Sequence, residues 1–148
     1  MLRLPAQVYA QIVGHCLSGL PDEACGLLGG DLATGVVARC YPTRNLAASA
    51  KLYTVDPKQH LQADRDAEAA GMSIMAVFHS HTHTDAYPSP TDVAQAPDPD
   101  WHYVLVSLRD SHPMLRSYRI VEGRIDEEPV IVEQQEPTEL HRTQEPAR

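Results

Sequence analysis

Two histidines, His79 and His81, close the apolar run Ser73-Ile-Met-Ala-Val-Phe-His79 and its polar continuation. In an extended chain, residues two apart send their side chains to the same side. That geometry lets both imidazoles reach one metal ion at about 2.0–2.1 Å, and a third ligand from the following loop would complete a catalytic zinc site with one position left for water. Asp92, in Tyr87-Pro-Ser-Pro-Thr-Asp92, is the best candidate for that ligand. A polar loop directly after a buried strand is where a fold can display such a group on rigid support. For a single histidine, a surface or hydrogen-bonded role is the commoner reading. Two at ligand spacing on a strand end, with an aspartate behind them, shift the balance toward metal chemistry.

The elements that must hold these residues follow from periodicity. Leu4, Val8, Ile12 and Val13 recur at helical spacing, which predicts a helix from about residue 5 to 18, with Pro5 in its first turn and Gly-Leu-Pro ending it. Glu23-Ala-Cys-Gly-Leu-Leu-Gly-Gly30 reads as a buried strand running into a Gly-Gly turn, with Gly35–Tyr41 as its hairpin partner. Pro57 opens a second helix that Gly71 stops. The run 73–79 suits a central strand buried on both faces. Residues 81–100 contain four prolines and read as loop, with a helical turn after Ser89. Strand signals return at 102–108, 115–121 and 129–132. This order predicts an α+β domain: one mixed β-sheet flanked by helices.

A chain of 148 residues is one domain by default. Its net charge of −8, from 12 basic and 20 acidic residues, argues against nucleic acid as a partner. Seven acids against two arginines in residues 126–148 carry −5 of that charge, so the folded body is only mildly acidic. Residues 134–148 read as a disordered acidic tail. No stretch approaches the roughly 20 apolar residues of a membrane span, and the first residues lack the apolar core of a signal peptide. Three cysteines, Cys16, Cys25 and Cys40, without a CxxC spacing predict a reducing, cytoplasmic setting.

The full pattern is Glu23, then His79-x-His81, seven residues, Ser89, two residues, Asp92. It resembles the signature of the JAMM (MPN+) metalloproteases, zinc isopeptidases that act on ubiquitin-like proteins. The resemblance covers roughly residues 1–133. It implies a single JAMM/MPN-like (cytidine-deaminase-like) domain. Within the family, PDEACG, HSHT, AYPS-x-TDV, HYVLVS-x-RD, LRSYRI and EEPV look like short actinobacterial enzymes that hydrolyse a cysteine adduct from the C-terminus of a ThiS/MoaD-like sulfur-carrier protein, a step of cysteine biosynthesis. Thr82 departs from the proline that many deubiquitinating members carry, and no long insertions flank the core, so ubiquitin itself is not the expected substrate. The resemblance implies one Zn²⁺ per chain, held by His79, His81 and Asp92. Glu23 would take the attacking water's proton and return it to the leaving amine. Ser89 would donate to the oxyanion, where loss of one donor costs about 2.7–4 kcal/mol.

Other residues carry weaker expectations. His83 extends the pattern to HxHxH but reads as a solvated loop residue, and Trp101, His102 and Tyr103 are expected to open a strand near the site. Cys25 reads as core packing rather than a nucleophile. His15, His60, His112 and His141 show no identifiable partner. Ordinary structural roles stay open for Glu23, as a strand-end acid, and for Ser89, as a helix N-cap. Competing functions are trimming of a carrier precursor to expose Gly-Gly, isopeptidase action on another ubiquitin-like modifier, an HxH-type phosphoesterase and a metal-free MPN scaffold. Exposed strand edges would allow a homodimer.

Overall fold

A computed structural model describes residues 1–134. Along the chain lie β1 (Leu2–Pro5), α1 (Ala6–Ser18), β2 (Cys25–Asp31), β3 (Val36–Thr43), α2 (Pro57–Ala69) and β4 (Ser73–His81). They are followed by α3 (Pro90–Ala94), β5 (His102–Ser107), β6 (Met114–Val121), β7 (Arg124–Glu128) and β8 (Val130–Glu133). The strands form one mixed sheet in the order β7-β6-β5-β4-β2-β3-β1-β8. Strand β4 is central, parallel to β5 and antiparallel to β2, and is buried at every residue after Ser73. Such two-faced burial is what its unbroken apolar sequence requires.

Helices cover both faces. On one, Val8, Ile12 and Cys16 of α1 pack with Leu4, Leu28, Phe78, Val104 and Val106. On the other, Ala63 and Ala67 of α2 pack with Leu27, Val77, Tyr103, Leu105 and Tyr118. The alternation along β4 therefore sends Phe78 toward α1 and Val77 and His79 toward α2. Phe78 is fully buried, and truncating such a ring to alanine costs about 3–5 kcal/mol. Its ring lies against Gly26, its cross-strand partner on β2: a Cβ added at Gly26 would stand 2.4 Å from two ring carbons. Asp56 caps α2 by accepting from the Lys58 amide at 2.9 Å, and Gly71, at φ 72°, supplies the left-handed residue that follows the helix.

Four local expectations are corrected. Leu4, counted on the first helical face, lies in β1, because Leu2 and Leu4 alternate inward while β1 pairs with β3 and β8. Gly29 and Gly30 stay inside β2, at a bulge, and the turn falls later, over residues 32–35. Strand β4 runs on through His81, two residues past the apolar run. Strand β7, polar in sequence, forms by hairpin pairing with β6. Apart from Gln134, the predicted tail lies outside the described residues. Among the described residues, no helix is long and apolar enough to cross a membrane, and the three cysteines are free.

Candidate active site

The end of β4 and the loop after it bring Glu23, His79, His81, Ser89 and Asp92 together. His79 and His81 leave the α2 face of the strand, both almost fully buried, and their Nε2 atoms stand 3.2 Å apart. Asp92 reaches the pair from α3: Oδ1 is 3.2 Å from His79 Nε2 and Oδ2 is 3.0 Å from His81 Nε2. Three ligand atoms at tetrahedral angles around an ion at 2.0–2.1 Å would be about 3.3 Å apart. The donor set thus matches zinc in chemistry and in spacing. His81 Nδ1 donates to the Asp85 carbonyl at 2.8 Å, so Nε2, turned to Asp92, is the nitrogen that would offer a lone pair to an ion, the usual arrangement of a metal-binding histidine. Tyr53 stacks on His79 with ring centroids 4.1 Å apart.

Glu23 stands just ahead of β2. The Ser80 hydroxyl, on the opposite side of β4 from the histidines, accepts from the Ala24 amide at 2.9 Å. The Ser80 amide in turn donates to the Ala24 carbonyl at 3.0 Å. From the other side, Asn45 Nδ2 donates to the Glu23 carbonyl at 3.0 Å. These bonds fix the backbone that carries Glu23 against the strand that carries the histidines. The Glu23 side chain is buried, and its Oε2 has no hydrogen-bond partner among the described residues. Glu23, His79 and His81 offer ligand atoms within 4.8 Å of one another, a looser spacing than that of Asp92 with the histidines. An unpartnered buried oxygen costs free energy unless a ligand or substrate proton meets it.

Electrostatics separates the two carboxylates. Burial pushes the Glu23 carboxyl up to about 7; His81 opposes the rise and Asp92 adds to it. Burial acts on Asp92 in the same sense, but the hydrogen bonds from His79 and His81 outweigh it and hold Asp92 well below the usual carboxylate range. Burial pulls His79 down. On His81 burial is outweighed by Asp92 and the Asp85 carbonyl, and the ring is raised. Two acids in one site, one held ionised and one poised near neutrality, form a pair with separate tasks.

Beside Tyr53 lies an apolar cavity of about 300 Å³, lined in part by Leu27, Tyr53, Val55, Val77, Trp101 and Tyr103. Trp101 and Tyr103 line that cavity with Tyr53, whose ring stacks on His79. His102 does not: it pairs with Ala76, five residues before His81 on β4, and alternates to the α1 face. There it binds Glu128, which also accepts from Ser117. His83 is exposed, with Nδ1 2.7 Å from the Thr82 hydroxyl. His15, expected to stand alone, bonds through Nε2 to the carbonyls of Cys25 and Thr43 at 2.9 and 3.1 Å. The Cys25 thiol is buried, which raises its pKa and suppresses the thiolate a nucleophile would need. Tyr53, Ser80 and Asp85 escaped the sequence reading. Tyr53 gives no local signal in its loop, and Ser80, the middle residue of HxH, could have been flagged only by asking what faces away from the histidines.

Residues 5–121 match the family of prokaryotic homologs of the JAB domain. The chain is 44% identical over 136 residues to the CysO-cysteine peptidase of Mycobacterium tuberculosis, covering 91% of this chain and 93% of the relative. It is 32% identical over 111 residues to the desampylase of Haloferax volcanii, covering 72% and 80%. Among solved structures it resembles protein DSY2949 of Desulfitobacterium hafniense, with a TM-score of 0.84 at 35% identity over 91% of this chain and 94% of that one.

Proposed function

The chain belongs to the prokaryotic homologs of the JAB domain, and from that membership we propose that it is a zinc-dependent peptidase that releases cysteine from the C-terminus of a ubiquitin-like, ThiS/MoaD-like sulfur-carrier protein. The observation that carries this reading is the 44% identity, over nearly the whole of both chains, to a CysO-cysteine peptidase. The Glu23, His79, His81 and Asp92 constellation supplies the chemistry that such a reaction needs.

His79, His81 and Asp92 would hold the ion. When bound, zinc supplies the Lewis acid that makes water nucleophilic near neutral pH and polarises a carbonyl. Glu23 Oε2, buried and without a hydrogen-bond partner among the described residues, accepts the attacking water's proton and returns it to the leaving nitrogen. The new C–O bond replaces the amide C–N bond, the carrier leaves as a carboxylate and cysteine as the free amine. Ser89 is an N-cap, and its Oγ accepts from the Asp92 amide. A hydroxyl that accepts there keeps its own hydrogen, and Ser89 gives it to the oxyanion. The apolar cavity beside Tyr53 receives the carrier's C-terminal tail.

Similarity to a desampylase favours a second reading, isopeptidase action on another ubiquitin-like modifier. Mass spectrometry separates the two, with a trimming reaction as a third arm. A metal-loaded sample is mixed with a carrier bearing one C-terminal cysteine, a carrier bearing a longer extension, and a lysine-linked conjugate. Loss of one cysteine from the first, at a higher kcat/KM than either other reaction, supports the proposal. Cleavage of only the conjugate or only the extension replaces it.

A further inference from the structure

The proposed substrate differs from an isopeptide conjugate in one chemical respect close to the scissile bond. A terminal cysteine carries its α-carboxylate on the carbon next to the leaving nitrogen, so a negative charge lies about 3 Å from that nitrogen. A lysine side chain joined by an isopeptide bond has none there. With Zn²⁺ offsetting Glu23 and Asp92, a further cation beside the leaving group would separate a substrate that carries this charge from one that does not. Of the nearby arginines, Arg44 is paired with Asp56 at 3.4 Å and Arg109 with Asp85 at 2.8 Å.

Lys51 is an exposed cation with no acidic partner among the described residues, and its neighbours fasten it to the site. The Glu23 amide donates to the Ser49 carbonyl at 2.8 Å. The Thr82 hydroxyl, next to His81, donates to the Ala50 carbonyl at 3.3 Å, and the Lys51 amide donates to the Ser49 hydroxyl at 3.1 Å. Two residues on, Tyr53 stacks on His79. The backbone of Lys51 is thus bracketed by contacts to three elements of the site. The Thr82 hydroxyl also bonds to His83 Nδ1 at 2.7 Å. The third histidine of HxHxH thereby buttresses the segment that carries Lys51.

Resting on the peptidase reading above, we propose that Lys51 binds the α-carboxylate of the departing residue and makes the site selective for a carrier that ends in one amino acid. A compact ammonium on a flexible stem suits a charge that must be gripped and then released with the product. The test compares kcat/KM on a carrier ending in cysteine with that on the same carrier ending in cysteinamide, for the metal-loaded wild type, Lys51→Gln and Lys51→Glu. The wild type prefers the acid by about tenfold, near the worth of one charge-assisted hydrogen bond. Lys51→Gln brings the ratio close to one and Lys51→Glu inverts it. Equal wild-type rates on acid and amide, or an unchanged ratio in Lys51→Gln, overturn the assignment of Lys51 while leaving the peptidase intact. Failure of the wild type to cleave either substrate overturns the peptidase reading and this inference with it.

Discussion

Ser89 and Asp92 cap each other: the Ser89 amide donates to Asp92 Oδ2 at 2.8 Å while the Asp92 amide donates to Ser89 Oγ at 3.1 Å. The same Oδ2 faces His81 Nε2 at 3.0 Å. A capping box normally serves a helix start; here it aims a carboxylate at two imidazoles. The short helix exists largely to present Asp92, and the two sequence readings of Ser89, cap and catalytic donor, describe one hydroxyl with two uses.

Replacing Ser89 by alanine therefore acts twice. Loss of the cap lowers stability by about 1 kcal/mol, and a less constrained Asp92 weakens zinc affinity by roughly tenfold or more. With zinc held saturating, the remaining deficit in kcat is about 10²–10³, the worth of an oxyanion donor. Chelator competition and steady-state kinetics read the two effects apart.

Asp92→Asn keeps the shape of the side chain but removes the charge that opposes the ion. Bound zinc, measured by elemental analysis after dialysis, falls well below one per chain. His102→Gln, on the other face of the sheet, leaves the zinc content at the wild-type value.

Glu128 contributes to acid stability alongside Asp92. Burial alone would raise its pKa, but hydrogen bonds from His102, the N-terminal ammonium and Ser117 outweigh burial and hold it at about 2, below the ordinary 4.5. A carboxyl with a depressed folded pKa stabilises the fold above its unfolded pKa and loses that contribution as pH falls toward the folded one. Chemical denaturation should show stability declining between pH 4.5 and about 2, by on the order of 3 kcal/mol. Glu128→Gln is less stable at pH 7 and flatter across that window.

Gly26→Ala tests the packing behind the histidines. The new methyl would meet the Phe78 ring at 2.4 Å and the Tyr41 carbonyl at 2.7 Å. Overpacking of this kind costs about 1–3 kcal/mol, and because Phe78 precedes His79, zinc affinity should fall with thermal stability. Calorimetry and metal titration of one sample check both.

Trp101→Ala opens the wall of the apolar cavity. Trp101 is half-buried, and its loss raises KM for the carrier by up to about tenfold, while kcat changes less because no reacting atom is touched.

Much of this was legible in the sequence. The run 73–79 suits a buried strand, and the spacing from His79 to Asp92 points to one metal. Local pattern failed where tertiary pairing decides. Leu2 and Leu4 become a strand because β1 pairs with β3 and with β8, more than 120 residues away, and polar β7 forms through its hairpin with β6. His102 looked like part of the site by proximity in sequence to Trp101 and Tyr103, yet alternation along β5 turns it to the opposite face. Tyr53 and Ser49–Lys51 reach the site by loop packing, which no periodicity encodes.

In the proposed reaction Glu23 moves the proton while His79, His81 and Asp92 hold the ion. Glu23→Gln, loaded with zinc and mixed with the cysteine-bearing carrier, tests it most directly. The account predicts zinc near one per chain and release of cysteine slowed by at least about 10²-fold. Release at the wild-type rate with zinc bound would contradict it.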